Sequence, residues 1–324
     1  MGRRVGHVAF WAFVVAWGLL LATVARAVPY AAFVMDARTG EVIYSENAET
    51  PLHPASLTKM MTLYVAFQAI QRGEITLDTE VRIPADAAAQ PPSRLGLREG
   101  QTIRLRYLLR AAAVKSANDA ATAIGYAIAG SQPAMAERMN AMAAAMGMTG
   151  TRFVNMNGLT AEGHYSTARD MSLLGRHLVY DFPQYYNLFS RRVADAGVAE
   201  VANTNRRFLD SYEGADGIKT GYTVAAGYNL VASAQRGEVR IIATVFGGTS
   251  TADRNARVAD LLDMGFAAAP ARAIVSADPL PQVAAADAGG GVGEAGARAV
   301  RVSGMVERSL RPGARPADAA VALA

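Results

Sequence analysis

A serine and a lysine three positions apart are the residues best placed to do chemistry. Ser56 and Lys59 stand at the start of a predicted helix, after Pro54. This spacing puts both side chains on one helix face, so the amine can approach the hydroxyl one turn away. The positive end of the helix dipole disfavours the ammonium form and lowers the pKa of the lysine. A neutral amine can take the serine proton, which makes Ser56 a candidate nucleophile and Lys59 its general base.

Lysine is scarce in this chain, and its positions are therefore informative. Of the 32 basic residues only three are lysine, Lys59, Lys115 and Lys219. Arginine stays protonated under accessible conditions, whereas a lysine can lose its proton where its surroundings favour the neutral form. These three positions are the candidates for proton-transfer chemistry.

Two further short motifs follow along the chain. Ser116-Ala117-Asn118 lies between two predicted helices, and Lys219-Thr220-Gly221 lies on a predicted strand. SxxK, SxN and KTG, in that order, are the three elements of the penicillin-recognising serine enzymes. Each motif alone is short enough to arise by chance, but the ordered set rarely does.

From about Tyr30 to Phe266 the chain resembles the low-molecular-weight D-alanyl-D-alanine carboxypeptidases, which form the S11 peptidase family. Beyond the three motifs the likeness includes residues 157–159, 167–171, 182–186 and 226–230. The resemblance implies an α+β fold of the β-lactamase/transpeptidase type. It also implies that Ser56 attacks the bond between the last two D-alanines of a peptidoglycan stem peptide. Terminal D-alanine would leave, water would hydrolyse the acyl-enzyme, and β-lactams would be covalent inhibitors.

The resemblance also assigns roles to the motif residues. Lys59 would accept the serine proton, and Ser116 would pass a proton to the departing amine. Lys219 would lower the pKa of Lys59 and help to hold the substrate carboxylate. Asn118 would hydrogen-bond the substrate backbone, and Thr220 its carboxylate.

The remaining expectations concern the strand that carries KTG and the segment after the last strand. The oxyanion would lie between the backbone amides of Ser56 and Tyr222. Gly221 would leave room for a peptide lying along the strand edge. Arg254 matches a family arginine near the substrate carboxylate, although Arg257 is close in sequence and a surface role for Arg254 is the alternative.

Two other residues are expected to be structural. We expect Lys115 to support the SxN serine without acting directly. We expect His164 to be a structural loop histidine, because no GxSxG nucleophile elbow accompanies it.

Periodicity predicts the elements that position these residues. Both ends of the domain would form one antiparallel sheet, packed against a block of helices. The predicted elements are a hairpin over 31–45, helices from 56 and over 107–114, 119–129, 135–146 and 167–180, strands at 217–222, 228–233 and 240–246, and a closing helix over 253–266.

The two ends of the chain differ in composition from this central part. Residues 1–27 are typical of a signal peptide cleaved after Ala27, the alternative being a retained anchor. Residues 28–269 would form the catalytic domain. Residues 270–324 are rich in Ala, Gly and Pro and predict a mostly disordered tail, with a short strand possible near 299–306. Only 58 residues follow Phe266, so we expect neither a complete second domain nor a C-terminal membrane anchor.

Composition excludes several classes of function. The chain has no cysteine, and its four histidines show no metal-ligand spacing, so we expect no metal and no cofactor. Removing the three leader arginines from the 32 basic residues leaves 29, against 28 acidic residues. With so little net charge and no basic cluster, we expect no nucleic-acid partner.

Three alternatives use the same motifs. A class A β-lactamase needs a glutamate in an ExxLN-like loop, and neither Glu137 nor Glu162 has that context. A D,D-endopeptidase that cuts cross-links is hardly distinguished by sequence. A non-catalytic cell-wall-binding protein is disfavoured, because all the reactive residues are present.

Overall fold

The computed structural model describes residues 28–276, 280–281 and 283. The predicted signal peptide, and the strand considered near 299–306, lie outside the described residues. Within the described part of the chain no helix combines the length and the apolar character needed to cross a membrane.

The described chain contains one large sheet and two short strand pairs. Its strands are β1 (Ala31–Asp36), β2 (Val42–Glu46), β3 (Glu80–Arg82), β4 (Thr102–Arg104), β5 (Val193–Asp195), β6 (Glu200–Ala202), β7 (Ala215–Thr223), β8 (Gly227–Arg236) and β9 (Val239–Gly248). The large sheet has the order β2-β1-β9-β8-β7, and all its neighbours are antiparallel. The prediction that both ends of the domain share one sheet is confirmed.

Most of the helices lie between β2 and β7, among the short strands β3 to β6, and one helix follows β9. They are α1 (Thr58–Gln71), α2 (Ala85–Ala88), α3 (Leu105–Arg110), α4 (Asn118–Ala129), α5 (Gln132–Ala145), α6 (Ala168–Asp181), α7 (Pro183–Tyr186), α8 (Arg206–Ser211) and α9 (Thr251–Ala268). A 3-10 turn, Ala55–Leu57, leads into α1, and a π turn, Ala111–Lys115, follows α3. The predicted α+β class is therefore confirmed.

The sheet is covered on both faces, which explains the pattern of its inner strand. Phe33 and Met35 of β1 pack into the core shared with the helical block, while Ala32 and Val34 pack into the core beneath α9. All six residues of β1 are consequently buried. A strand buried on both sides has no reason to alternate polar and apolar residues. The hairpin predicted over residues 31–45 is present as β1 and β2, with β1 buried on both sides.

Helix α1 is the centre of the helical block. Every residue from Thr58 to Ala69 is buried, including the polar side chains of Thr62 and Gln68. The Thr62 hydroxyl donates to the carbonyl of Met156 at 2.6 Å. A helix enclosed on all sides needs apolar or hydrogen-bonded residues all round, and not a single apolar stripe. The helix that begins beside Ser56 is thus fixed by packing from every direction.

Side-chain caps fix the starts of two helices that flank the sheet. Thr167 accepts from the backbone N–H of Asp170 at 3.1 Å at the start of α6, and Ser250 accepts from Asp253 N–H at 3.0 Å at the start of α9. These bonds satisfy N–H groups that have no partner within the helix. The three-residue pairs β3–β4 and β5–β6 were not predicted, because each strand buries only its central residue.

The chain after α9 continues along the surface of the domain. Arg38, paired with Asp36 at 2.7 Å, donates to the carbonyl of Pro270 at 2.6 Å. The N–H of Ser276 donates to the carbonyl of Arg38 at 2.8 Å. The beginning of the predicted tail, residues 270–276, is therefore hydrogen-bonded to the β1–β2 hairpin.

Candidate active site

The cleft that contains the three motifs lies where β7, the edge strand of the sheet, faces the 3-10 turn and the helical block. Its volume is about 390 Å³, which is in the range of small-ligand sites. Seven of the nine predicted site residues line it, and the other two, Lys59 and Lys219, are buried. The seven are Ser56, Ser116, Asn118, Thr220, Gly221, Tyr222 and Arg254.

Lys59 lies at the centre of a small hydrogen-bonded cluster. Its Nζ is 3.0 Å from Ser56 Oγ, 2.8 Å from Asn118 Oδ1 and 2.5 Å from the main-chain oxygen of Asn157. The amide of Asn118 is oriented by its Nδ2, which donates to the carbonyl of Pro91 at 2.9 Å. The serine, the lysine and the asparagine are therefore brought together from two helix starts that are 59 positions apart in sequence.

The partners of Lys59 determine where its lone pair points when the amine is neutral. The Asn118 amide oxygen and the Asn157 carbonyl can only accept hydrogen bonds. A neutral amine has two N–H groups and one lone pair, so these two acceptors take both N–H groups. The lone pair then faces the Ser56 hydroxyl, which is the one neighbour of the three that can donate. The cluster is arranged for transfer of a proton from Ser56 Oγ to Lys59 Nζ.

Burial favours the neutral form of the Lys59 amine. Lys59 is 0% exposed, and burial holds its pKa well below the usual lysine value, with the charge of Lys219 acting in the same direction and Asp119 opposing both. The sequence suggested the helix dipole and a second cation as causes. The cation is present, but desolvation, which the sequence did not reveal, is the leading cause.

Lys219 lies on β7 and is 1% exposed. Its Nζ donates to the carbonyl of Thr220 at 2.9 Å. Burial, followed by the charge of Arg254, lowers the pKa of Lys219 to about 7. Lys219 therefore changes charge near neutral pH, and it is buried next to Thr220, which lines the cleft.

Ser116 occupies a backbone conformation that few non-glycine residues adopt. Its φ is 63° and its ψ is 33°, the left-handed region, at the end of the π turn. Ala55, immediately before Ser56, also has a positive φ of 49°. Such conformations cost about 1–3 kcal/mol and persist only where the surrounding structure enforces them. Both proposed reactive serines are thus presented by strained turns.

Gly221 lies close to the turn that carries Ser56. A Cβ at this position would lie 2.9 Å from the carbonyl oxygen of Pro54 and 3.2 Å from the backbone nitrogen of Ser56. The absent side chain allows β7 to approach the turn that carries the nucleophile. The expectation that Gly221 also leaves room for a peptide along the strand edge stays a prediction.

Arg254 and Arg257 are separated clearly by the fold. Arg254 is 4% exposed and lines the cleft, and burial lowers its pKa to about 10. Arg257 is exposed and pairs with Asp253 at 2.8 Å, on the outside of α9. The alternative of a surface role for Arg254 is therefore wrong.

Tyr222 lies at the rim of the cleft, 53% exposed, with its ring centroid 4.4 Å from that of Tyr228.

His164 and Lys115 lie outside the cleft lining. His164 is buried, its Nδ1 accepts from Val154 N–H at 3.0 Å, and its Nε2 is 2.8 Å from Thr58 Oγ1. The accepted bond fixes the neutral tautomer with hydrogen on Nε2. The histidine connects a loop to the first turn of α1, as expected of a structural residue. Lys115 is half-buried.

Two residues that sequence reasoning did not single out help to build the cleft. Asn157 supplies the carbonyl that binds Lys59, and its Nδ2 donates to Gln90 Oε1 at 2.8 Å. Asp119 accepts the backbone N–H groups of three consecutive residues, 95–97, at 2.8–3.1 Å, which shapes the loop beside Ser93. Asn157 stands inside a segment that carries the family likeness, but its contact with Lys59 is made by the main chain and leaves no signal in side-chain type.

No group of three or more acidic or histidine side chains that could hold a metal occurs among residues 28–276, 280–281 and 283. The chemistry described above uses only the side chains and main-chain atoms of the cleft.

Comparison with known proteins places the chain in a family. A family model described as D-alanyl-D-alanine carboxypeptidase, peptidase S11, matches residues 23–250. The D-alanyl-D-alanine carboxypeptidase DacF of Bacillus subtilis is 38% identical over 240 residues, which are 72% of this chain and 61% of that protein. The chain thus spans about three-fifths of the length of this curated relative.

Solved structures agree with the sequence match. Penicillin-binding protein 5 from Haemophilus influenzae superposes with a TM-score of 0.71 at 33% identity, covering 76% of this chain and 73% of that one. Penicillin-binding protein D2 from Listeria monocytogenes, in its ampicillin-bound form, superposes with a TM-score of 0.65 at 30% identity, covering 73% and 96%. The chain therefore belongs to the D-alanyl-D-alanine carboxypeptidase family, peptidase S11.

Proposed function

We propose that this protein is a serine-type D-alanyl-D-alanine carboxypeptidase that removes the terminal D-alanine from peptidoglycan stem pentapeptides. The observation that carries the proposal is the 3.0 Å contact between Ser56 Oγ and the buried amine of Lys59, whose other two neighbours can only accept hydrogen bonds. Family membership supports the same reaction.

The proposed reaction has two halves. The Ser56 oxygen bonds to the carbonyl carbon of the penultimate D-alanine while its proton passes to Lys59 Nζ. The C–N bond then breaks, and the departing amine takes a proton by way of Ser116. Water hydrolyses the resulting ester, which returns the Ser56 hydroxyl. The oxyanion lies between the backbone N–H groups of Ser56 and Tyr222, where each donor contributes about 3–4 kcal/mol.

Recognition of the substrate is assigned to residues of β7, to Arg254 and to Asn118. Lys219, Thr220 and Arg254 bind the terminal carboxylate, and Asn118 binds the peptide backbone. Arg254 and the Thr220 hydroxyl line the cleft, and the amine of Lys219 is buried next to Thr220. These groups suit an anion, and this supports a substrate with a free C-terminus. The ampicillin complex of the Listeria relative supports β-lactams as covalent inhibitors of this chain as well.

We also propose that residues 1–27 direct export, that cleavage follows Ala27, and that the enzyme acts outside the cytoplasmic membrane, where peptidoglycan lies. The arginines near the start, the apolar run and the small-x-small site support this. Residues 28–269 would be the catalytic domain, and residues 270–324 a tail rich in Ala, Gly and Pro. Sequencing the N-terminus of the exported protein tests the cleavage site.

The function is tested by mass analysis of a pentapeptide muropeptide after incubation with the protein. Loss of one alanine is the expected product, and Ser56→Ala should leave the substrate intact. Cleavage of cross-linked dimers alone would instead identify an endopeptidase.

Fluorescent penicillin provides a second readout, because a stable label lost only in Ser56→Ala indicates an acyl-enzyme. Rapid release of that label would identify a β-lactamase. Absence of label from the wild type would identify a non-catalytic binding protein.

A further inference from the structure

A threonine outside the three motifs lies in contact with the KTG threonine. Thr204 Oγ1 is 2.9 Å from Thr220 Oγ1, and both residues line the cleft. Thr220 is buried, whereas Thr204 is exposed to the cleft. A hydroxyl can donate one hydrogen bond and accept two, so either oxygen can be the donor in the free protein.

The backbone holds Thr204 firmly against this wall. Its N–H donates to the carbonyl of Val114, in the π turn that ends at Ser116, at 3.0 Å. Next to it, Asn203 is buried and donates from Nδ2 to the carbonyl of Arg191 at 2.7 Å, while its Oδ1 accepts from Asn205 N–H at 2.7 Å. Thr204 therefore connects the segment that carries Ser116 to the strand that carries Lys219 and Thr220.

We propose that Thr204 is a positioning residue that orients the Thr220 hydroxyl toward the carboxylate of the substrate. This inference rests on the proposed function, in which Thr220 donates to that carboxylate. Thr220 has only one hydroxyl proton, so donating it to an anion leaves its oxygen as acceptor for Thr204. The chain of donors then runs from Thr204 to Thr220 to the carboxylate. Each bond polarises the next, and an anion at the end favours this direction.

The neighbours of Thr220 leave this orientation to Thr204. Lys219 Nζ donates to the main-chain carbonyl of Thr220, not to its hydroxyl. Gly221 packs against the backbone of Pro54 and Ser56 and has no side chain that could contact the Thr220 hydroxyl. Without the Thr204 hydroxyl, Thr220 keeps its place in β7 but loses the partner that points its proton into the cleft.

The test compares ligands with and without an anion. We expect Thr204→Val to lower the second-order rate of acylation by benzylpenicillin about fivefold to tenfold, the effect of one hydrogen bond. Acylation by the methyl ester of benzylpenicillin should change less than about twofold, because the ester presents no carboxylate. Thr204→Ser should restore the rate with the acid. A loss of equal size for acid and ester, no loss for the acid, or failure of serine to restore the rate would overturn the proposal.

Thr160 provides a matched control. Thr160 is also exposed and also contacts a β7 threonine, with its Oγ1 3.2 Å from Thr223 Oγ1, but it does not line the cleft. Thr160→Val removes the same chemical group and should leave both rates unchanged. Comparable losses in Thr160→Val and Thr204→Val would show a general effect on the strand and would contradict the specific role.

A binding experiment separates this inference from the proposed function. In a Ser56→Ala background, NMR titration measures the Kd of an N-acylated D-alanyl-D-alanine peptide and of its C-terminal amide. Adding Thr204→Val should weaken binding of the acid about fivefold to tenfold and leave the amide unchanged. If the wild type forms no acyl-enzyme, the proposed function fails while this titration still decides the role of Thr204. An unchanged Kd for the acid would refute it.

Discussion

The α-carbon of Gly158 packs against the main-chain carbonyl of Ala55, so closely that a Cβ at residue 158 would lie 1.9 Å from the carbonyl oxygen. Gly158 follows the residue whose carbonyl binds Lys59, and Ala55 precedes the proposed nucleophile. The contact therefore sets the distance between the Asn157 segment, which binds Lys59, and the turn that carries Ser56.

Gly158→Ala should damage both stability and acylation. Its φ of +85° already disfavours alanine, and the overlap with Ala55 adds to that cost. Gly163 offers a control, since its φ is +74° but a Cβ there would meet nothing closer than 3.5 Å. We expect Gly163→Ala to cost about 1 kcal/mol and Gly158→Ala at least about 2 kcal/mol. Urea denaturation and penicillin labelling measure the two effects, and equal costs for the two variants would argue against the contact.

Lys59→Arg should abolish most acylation even though the charge is formally conserved. Arginine cannot give up its proton under these conditions, so no base remains beside Ser56. We expect the rate of labelling by penicillin to fall about 10²- to 10⁴-fold, the usual contribution of a general base. Lys115→Arg is the matched control, because Lys115 lies outside the cleft lining, and it should label within twofold of the wild type. Substantial labelling of Lys59→Arg would remove Lys59 from the role of base.

The pH dependence of acylation should report Lys219. Its pKa is lowered to about 7 by burial and then by Arg254, and its protonated form is the one that attracts a carboxylate. The acylation rate by benzylpenicillin should therefore fall as the pH rises through about 7. Arg254→Gln removes one cause of the lowered pKa of Lys219. The acylation rate should therefore be lower, but the fall of the rate with rising pH, its alkaline limb, should move to higher pH. Arg257→Gln, on the outside of α9, should leave the limb in place, and an unmoved limb in Arg254→Gln would speak against coupling to Lys219.

His164 should make the fold sensitive to acid. Burial, followed by the charge of His53, lowers the pKa of His164 to about 4, so the folded protein holds it neutral while the unfolded chain binds a proton below about 6.5. Stability is fully present above about pH 6.5 and is lost as the pH falls toward 4, by up to about 3 kcal/mol. Unfolding free energies of the wild type and His164→Gln at pH 7.5 and 4 measure this. The variant should lose less stability than the wild type over that range, and parallel losses would exclude the histidine as the cause.

The sequence alone identified the residues of the proposed site and the order of the main helices and strands. Ser56 and Lys59 could be paired because helix geometry is local, and three residues on a helix always return to the same face. The hairpin and the strand that carries KTG could be predicted for the same reason. Each depends on the period of its own few residues.

Only the tertiary structure decided how those residues work. The low pKa of Lys59 comes chiefly from desolvation, and desolvation depends on what packs around α1 from distant parts of the chain. The carbonyl of Asn157, the hydroxyl of Thr204 and the choice of Arg254 over Arg257 are contacts across long separations in sequence. Main-chain groups and single hydroxyls carry no periodic signal, so their positions follow from the packing of sheet against helices and not from any local pattern.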